Sequence, residues 1–128
     1  MSLFFVPSPD LSGYAALGTA QSFSAAQRGT IVAQGSVSGT ITLNFASGNN
    51  YSLSLSANGT LANPSNITAG QSGTIMITNG GAYTLAYGSY WKFPGGTAPT
   101  ATASGTDALV YYVESATRIT ARLIADVK

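Results

Sequence analysis

The sequence predicts an all-β fold, an antiparallel β-sandwich or barrel-like domain entered through a short irregular or helical N-terminal arm. Three observations predict it. Apolar residues alternate with Ser, Thr and Asn at a period of two, in Ile41, Leu43 and Phe45 and again in Tyr51, Leu53 and Leu55, the pattern of a strand with one buried face. Gly- and Asn-rich turn signals separate the apolar stretches, as in sandwiches and barrels built of short strands. Only 7% of the 128 residues are charged while 45% are hydrophobic. That composition suits strands with Ser/Thr outer faces and excludes disorder, which needs low hydrophobicity and high net charge. The length fits one domain, able to bury a core without a disulfide or metal staple.

The first 27 residues form the arm and residues 28–128 the β module. Met1 to Val6 is an apolar run stopped by Pro7 and Pro9. Ser8-Pro9-Asp10 reads as an N-cap, a proline at the first helical position and an acidic first turn, with Gly18 as a C-terminal stop. Pro9 to Leu17 is therefore either a short helix or an irregular arm, and Ser24 to Gln27 adds at most one more helical turn. Next, Thr40–Phe45 and Tyr51–Ser56 read as antiparallel strands joined by a hairpin loop at Ala46-Ser47-Gly48-Asn49-Asn50, with a tight turn at Asn58-Gly59. Thr74–Thr78 is β-branched and ends at Asn79-Gly80-Gly81, a strong hairpin signal, so Ala82–Tyr87 is expected to return beside it. Asp107–Glu114 and Arg118–Val127 form the last pair around Ser115-Ala116-Thr117. The shared period places Ile41, Leu43, Phe45, Leu53, Leu55, Ile75, Ile77 and Leu85 in the core. In the last pair Leu109, Tyr111 and Val113 share one face and Val110 and Tyr112 the other. A strand apolar on both faces lies between two layers or meets another subunit.

The residues for most catalysis are missing. There is no His and no Cys, which excludes Ser-His-Asp and Cys-His triads and the common zinc sites. The acids are Asp10, Asp107, Glu114 and Asp126. Asp107 and Glu114 fall on opposite faces of one strand, which does not make the facing pair a glycosidase needs. Asp126 approaches Asp107 if their strands pair antiparallel, but the plainer reading is that these acids solubilise strand ends. No acidic loop has calcium-ligand spacing. Gly80-Gly81 and Gly95-Gly96 lack the Lys-Ser/Thr of a phosphate loop and read as turns. No catalytic, cofactor or metal residue is therefore expected, and the chain is expected not to be an enzyme. The net charge of +1 provides no basic stripe for nucleic acid. No apolar run reaches the 18 or so residues of a membrane span, and Met1–Val6 lacks the basic region of a secretion signal, so synthesis in a cytoplasm without such a signal is expected.

One segment is unusually specific. Tyr87-Gly88-Ser89-Tyr90-Trp91-Lys92-Phe93-Pro94-Gly95-Gly96-Thr97-Ala98-Pro99-Thr100 holds the sole Trp among Tyr, Phe, Pro and Gly. Its aromatics either anchor an interface, cap the core, or stack on a sugar. Leu61-Ala62-Asn63-Pro64 and Ala69-Gly70-Gln71-Ser72-Gly73-Thr74-Ile75 precede it, and Val110-Tyr111-Tyr112-Val113-Glu114-Ser115-Ala116-Thr117-Arg118-Ile119 follows. In this order and spacing, from about Gln27 to Lys128, the chain resembles a β-rich structural module of tailed-bacteriophage virion proteins, of tail-fibre-end or capsid-decoration type. The resemblance implies a non-enzymatic virion protein, made in the host bacterium and usually trimeric. Here the module is nearly the whole 13.0 kDa chain, a size that suits capsid decoration. A short tail-fibre or tail-tip protein is the alternative, and a carbohydrate-binding adhesin a further one. The partners expected are two further copies of the chain in a homotrimer and the major capsid protein or tail proteins, with a host surface glycan as a further candidate and neither nucleic acid nor membrane. The surplus of apolar positions on Leu109–Val113 and in the aromatic segment, in a chain with few charges, calls for a subunit interface, which the resemblance makes that of a homotrimer. The contact residues expected are Leu3, Phe4, Phe5 and Val6 of the arm, Tyr87, Tyr90, Trp91, Phe93 and Tyr111, and Arg118 and Arg122, which share one face of the last strand as a solvated face or as partners for Glu114 or Asp126.

Overall fold

The alternating runs fold as strands. The computed structural model describes residues 13–14 and 18–128, and its elements are β1 (Ile31–Ile41), β2 (Asn50–Leu61), β3 (Ser72–Asn79), β4 (Leu85–Tyr87), β5 (Trp91–Lys92), a 3-10 turn at Pro94–Gly96, β6 (Thr106–Ser115) and β7 (Arg118–Ile124). The all-β expectation is met. Residues 3–6, and nearly all of the segment weighed as a helix over 9–17, lie outside the described residues. Ser24 to Gln27 forms no helical turn; a bend at Ser24-Ala25 interrupts an extended, exposed stretch.

All seven strands belong to one hydrogen-bonded sheet in the order β1-β2-β3-β6-β7-β5, with β4 on the far half of β2. β2 contributes to two neighbours in succession: Tyr51–Leu55 pairs with β3, and Gly59–Leu61 with β4. The turn Gly88–Tyr90 leads from β4 into β5, which pairs with β7. The path β2-β3-β6-β7-β5 thus returns through β4 to β2, a barrel-like closure around the core. Trp91 completes the seam: its indole N–H donates to the Ala62 carbonyl (3.1 Å), and the Ile119 N–H donates to the Tyr90 carbonyl (2.9 Å).

Strand direction in the first half differs from the expectation. β1, β2, β3 and β4 run parallel where they pair, so the hairpin expected between Thr40–Phe45 and Tyr51–Ser56 is corrected to a coil. The chain leaves β1 at Ile41, turns a corner through Leu43 and Phe45, and re-enters as β2 in register with β1 (Ile31 opposite Asn50, Ile41 opposite Leu61). Ser65 accepts from the Phe45 N–H and donates to Leu43 (3.0 and 2.9 Å), making a third short side. The return of Ala82–Tyr87 beside β3 is corrected likewise, since β4 pairs with β2. Asn58-Gly59, expected as a tight turn, lies inside β2.

The reason is local. A two-residue type I′ hairpin needs φ > 0 at both central residues, yet Gly48, Gly59, Gly80 and Gly81 are absent from the positive-φ glycines. Their neighbours use asparagine side chains instead to hold corners. Asn79, 2% exposed, donates to the Tyr83 carbonyl (2.9 Å) and accepts from the Gly81 and Tyr83 N–H groups (3.2 and 3.4 Å). Asn44 accepts from the Ala46 N–H and from the Asn66 side chain of the next turn of chain (3.0 and 2.8 Å). Asn58 accepts from Thr84, and Asn63 from Tyr90, each at 2.9 Å. The chain bends but keeps winding in one sense. The positive-φ glycines that matter are Gly35 and Gly39 (φ 70° and 63°), which sit at the two register shifts between β1 and β2, where the irregular pairing uses a left-handed backbone on β1.

The eight expected core residues are all buried. They are joined by Tyr51, Leu61, Trp91, Leu109, Tyr111, Val113, Ile119 and Ala121 in one cluster. Four aromatics mark its centre. Phe45 stacks on Tyr111 (4.9 Å between ring centroids) and on Tyr51 (5.7 Å), and Trp91 meets Phe45 and Tyr111 edge-on (6.3 Å each). β6 and β7 pair antiparallel as expected.

Candidate functional site

The interior aromatics have polar tips, and these tie down the corner between β1 and β2. The Tyr51 hydroxyl lies 2.7 Å from both the Asn44 and Gly48 carbonyls. The Tyr111 hydroxyl donates to the Asn49 carbonyl (2.6 Å), and Gln71 donates to Gly48 (2.8 Å) and to Tyr111 (3.3 Å). Burial pushes both phenols above their ordinary range. Trp91 and Tyr111, expected as contact residues, therefore face this chain's own core and are withdrawn from the contact set. Tyr87, Tyr90 and Phe93 are half-buried against that core, with Phe93 edge-on to Tyr87 at 4.6 Å. The aromatic segment caps the core.

The acids are corrected as well. Asp107 does not solubilise a strand end. It is fully buried and accepts from the Thr102 and Asp126 N–H groups, each at 2.8 Å. Asp126 does approach it, as the antiparallel pairing requires, but through its backbone; its carboxylate pairs with Lys128 (2.9 Å). The Tyr87 hydroxyl is buried without a hydrogen-bond partner among the described residues. Burial, with the Asp107 carboxylate adding to it, pushes this phenol up to about 12. Glu114 is on the opposite face, exposed, and binds the Thr120 hydroxyl (2.7 Å) and the Arg118 guanidinium, which together hold its carboxyl below the usual range. Arg118 is thus an intrachain partner. Arg122 is exposed, without an ion-pair partner among the described residues. Among those residues no three His, Cys, Asp or Glu side chains gather as a metal site, and no helix is long and apolar enough to cross a membrane.

What remains outside is the outer face of β6 and β7. The register sets Val110 opposite Arg122, Tyr112 opposite Thr120 and Ala108 opposite Ile124, and Met76 on β3 lies opposite Ala108. Tyr112 and Ile124 are each 51% exposed. Val110, Tyr112, Thr120 and Arg122, with Pro94, line a shallow groove of about 380 Å³. This face sets the apolar Val110, Tyr112 and Ile124 beside the polar Thr120 and Arg122. The sequence placed Val110 and Tyr112 on one face but left Tyr112 out of the contact set. The signal was there: of two adjacent tyrosines on a strand only one points inward, and Leu109 and Val113 claim Tyr111 for the core. No known protein family, curated protein or solved structure matches the chain.

Proposed function

We propose that the chain is a non-enzymatic structural protein of a tailed-bacteriophage virion, a decoration protein that sits on the capsid surface as a homotrimer and works by adhesion to its neighbours. The observation that carries the adhesive reading is the division of the side chains. Asp107, Asn79 and the phenols of Tyr51 and Tyr111 are engaged in holding the fold, whereas Val110, Tyr112, Ile124 and Arg122 face outward with no structural duty. The virion assignment rests on the resemblance of Gln27–Lys128 to tailed-phage modules. The test is location and copy number in particles of the phage that encodes the chain. Hundreds of copies on the shell support decoration; a few copies at the tail move the protein to a fibre or tail tip. Retained affinity of the purified protein for host polysaccharide, abolished by Tyr112→Ala, would replace both with a glycan-binding adhesin.

A further inference from the structure

We infer that the free edge of β1 is a docking site for the apolar arm, Leu3-Phe4-Phe5-Val6, of a second copy of this chain, which adds to the sheet as an extra strand. β1 is the end strand of the sheet order. Among the described residues nothing pairs with its outer edge, although the strand runs from Ile31 to Ile41. Natural sheets protect a long edge with Lys, Pro or a covering element; IVAQGSVSGTI contains no charge and no proline. The rim of the core shows there too. Val32 and Val37 are only partly buried, and Ile31 is 65% exposed.

The occupant is argued from the rest of the chain. Leu3–Val6 is an apolar run of strand-forming composition, followed by Pro7 and Pro9, which limit any strand to the residues before them. The described stretch leading into the sheet is exposed throughout, from Gly18 to Thr30, Phe23 included. Residues 7–30, when extended, reach on the order of 80 Å, enough to deliver the arm to a neighbour. An exposed tether of that reach lets the arm be exchanged between copies. Passing each arm to the next copy is a heterologous contact, which closes into a ring when the rotation between copies allows it, and a three-membered ring is the homotrimer that the resemblance implies. The inference is independent of where the protein sits in a particle.

The experiment uses the full chain, which contains no cysteine, so an introduced pair is unambiguous. A Phe5→Cys, Ala33→Cys double variant, oxidised at micromolar concentration, is run on a non-reducing gel. Covalent multimers are the expected result; a cross-link confined to single chains, or none, overturns exchange between copies. In parallel, light scattering compares the full chain with a variant lacking residues 1–6. The full chain is expected at the mass of three copies and the truncated one at the mass of one, with the same thermal melt by circular dichroism. A full chain that is monomeric, or a truncated chain that keeps the oligomer, overturns the proposal. Location in the particle has no bearing on either readout.

Discussion

Gly73 and Gly35 make opposite demands on a replacement. A Cβ at Gly73 would lie 1.9 Å from the Asn49 carbonyl oxygen, a backbone atom on the corner that Tyr111 and Gln71 hold. Gly73→Ala is expected to destabilise by about 3 kcal/mol or more, the upper range for overpacking. Gly35 has open space but φ of 70°, so Gly35→Ala should cost only about 1 kcal/mol through backbone strain. Urea melts of the two variants check both values. Leu53→Ala, which empties a buried site, should fall between about 2 and 5 kcal/mol. Tyr87 sets a pH dependence. Its phenol ionises near 10 in the unfolded chain and at about 12 in the fold. Above pH 10 the unfolded state alone loses the proton, and stability falls as pH rises from 10 to 12. One such group contributes about 3 kcal/mol of that fall, and the raised phenols of Tyr51 and Tyr111 act in the same direction. Tyr87→Phe should flatten the alkaline limb. At pH 7 it should raise stability by about 1 kcal/mol, because the hydroxyl it removes is buried without a partner. Loss of stability at pH 7 in that variant would show that the hydroxyl is satisfied.

At the scale of an element, the corners decide the topology. Asn79 alone makes three hydrogen bonds across the bend from β3 toward β4, so Asn79→Ala should cost about 2–3 kcal/mol and loosen β4, measured as faster amide exchange at Leu85–Tyr87 than at Ile75–Ile77. The corners also explain what was legible. Every residue expected in the core is there, because alternation fixes the buried face whichever way the neighbouring strand runs. The direction of pairing was not legible. Asn-Gly and Gly-Gly mark a bend in both a hairpin and a coil, and the difference lies in the φ of Gly80 and Gly81 and in whether Asn79 bonds across its own corner. β6 and β7 were read correctly in direction because Ser115-Ala116-Thr117 leaves no room for anything but reversal. The contact face was half legible. The double apolar character of Leu109–Val113 revealed a second surface, but Trp91 and Tyr111, large and interface-like in composition, were drawn inside by a core that needed their volume.

For the whole molecule, closure through Trp91 and the turn Gly88–Tyr90 makes β2, β3, β6 and β7 parts of one ring, in which the chain itself joins β4 to β5 and pairings make the other links, with β1 laid outside it. Disruption of any ring member opens the rest, whereas β1 can detach with only its β2 ladder. Native-state exchange should therefore divide the amides in two: β2, β3 and β6 exchanging with the free energy of global unfolding, and β1 at a lower one. Uniform protection across β1 and β2 would refute the division. The same closure makes Trp91 a built-in optical gauge. As the chain's one indole, buried among Phe45, Tyr87 and Tyr111 and bonded to Ala62, it should emit in the blue in the native state and shift to the red when the seam parts. Excitation transfer from the surrounding phenols should be lost in the same step, so fluorescence alone can time the opening of the ring without any introduced label.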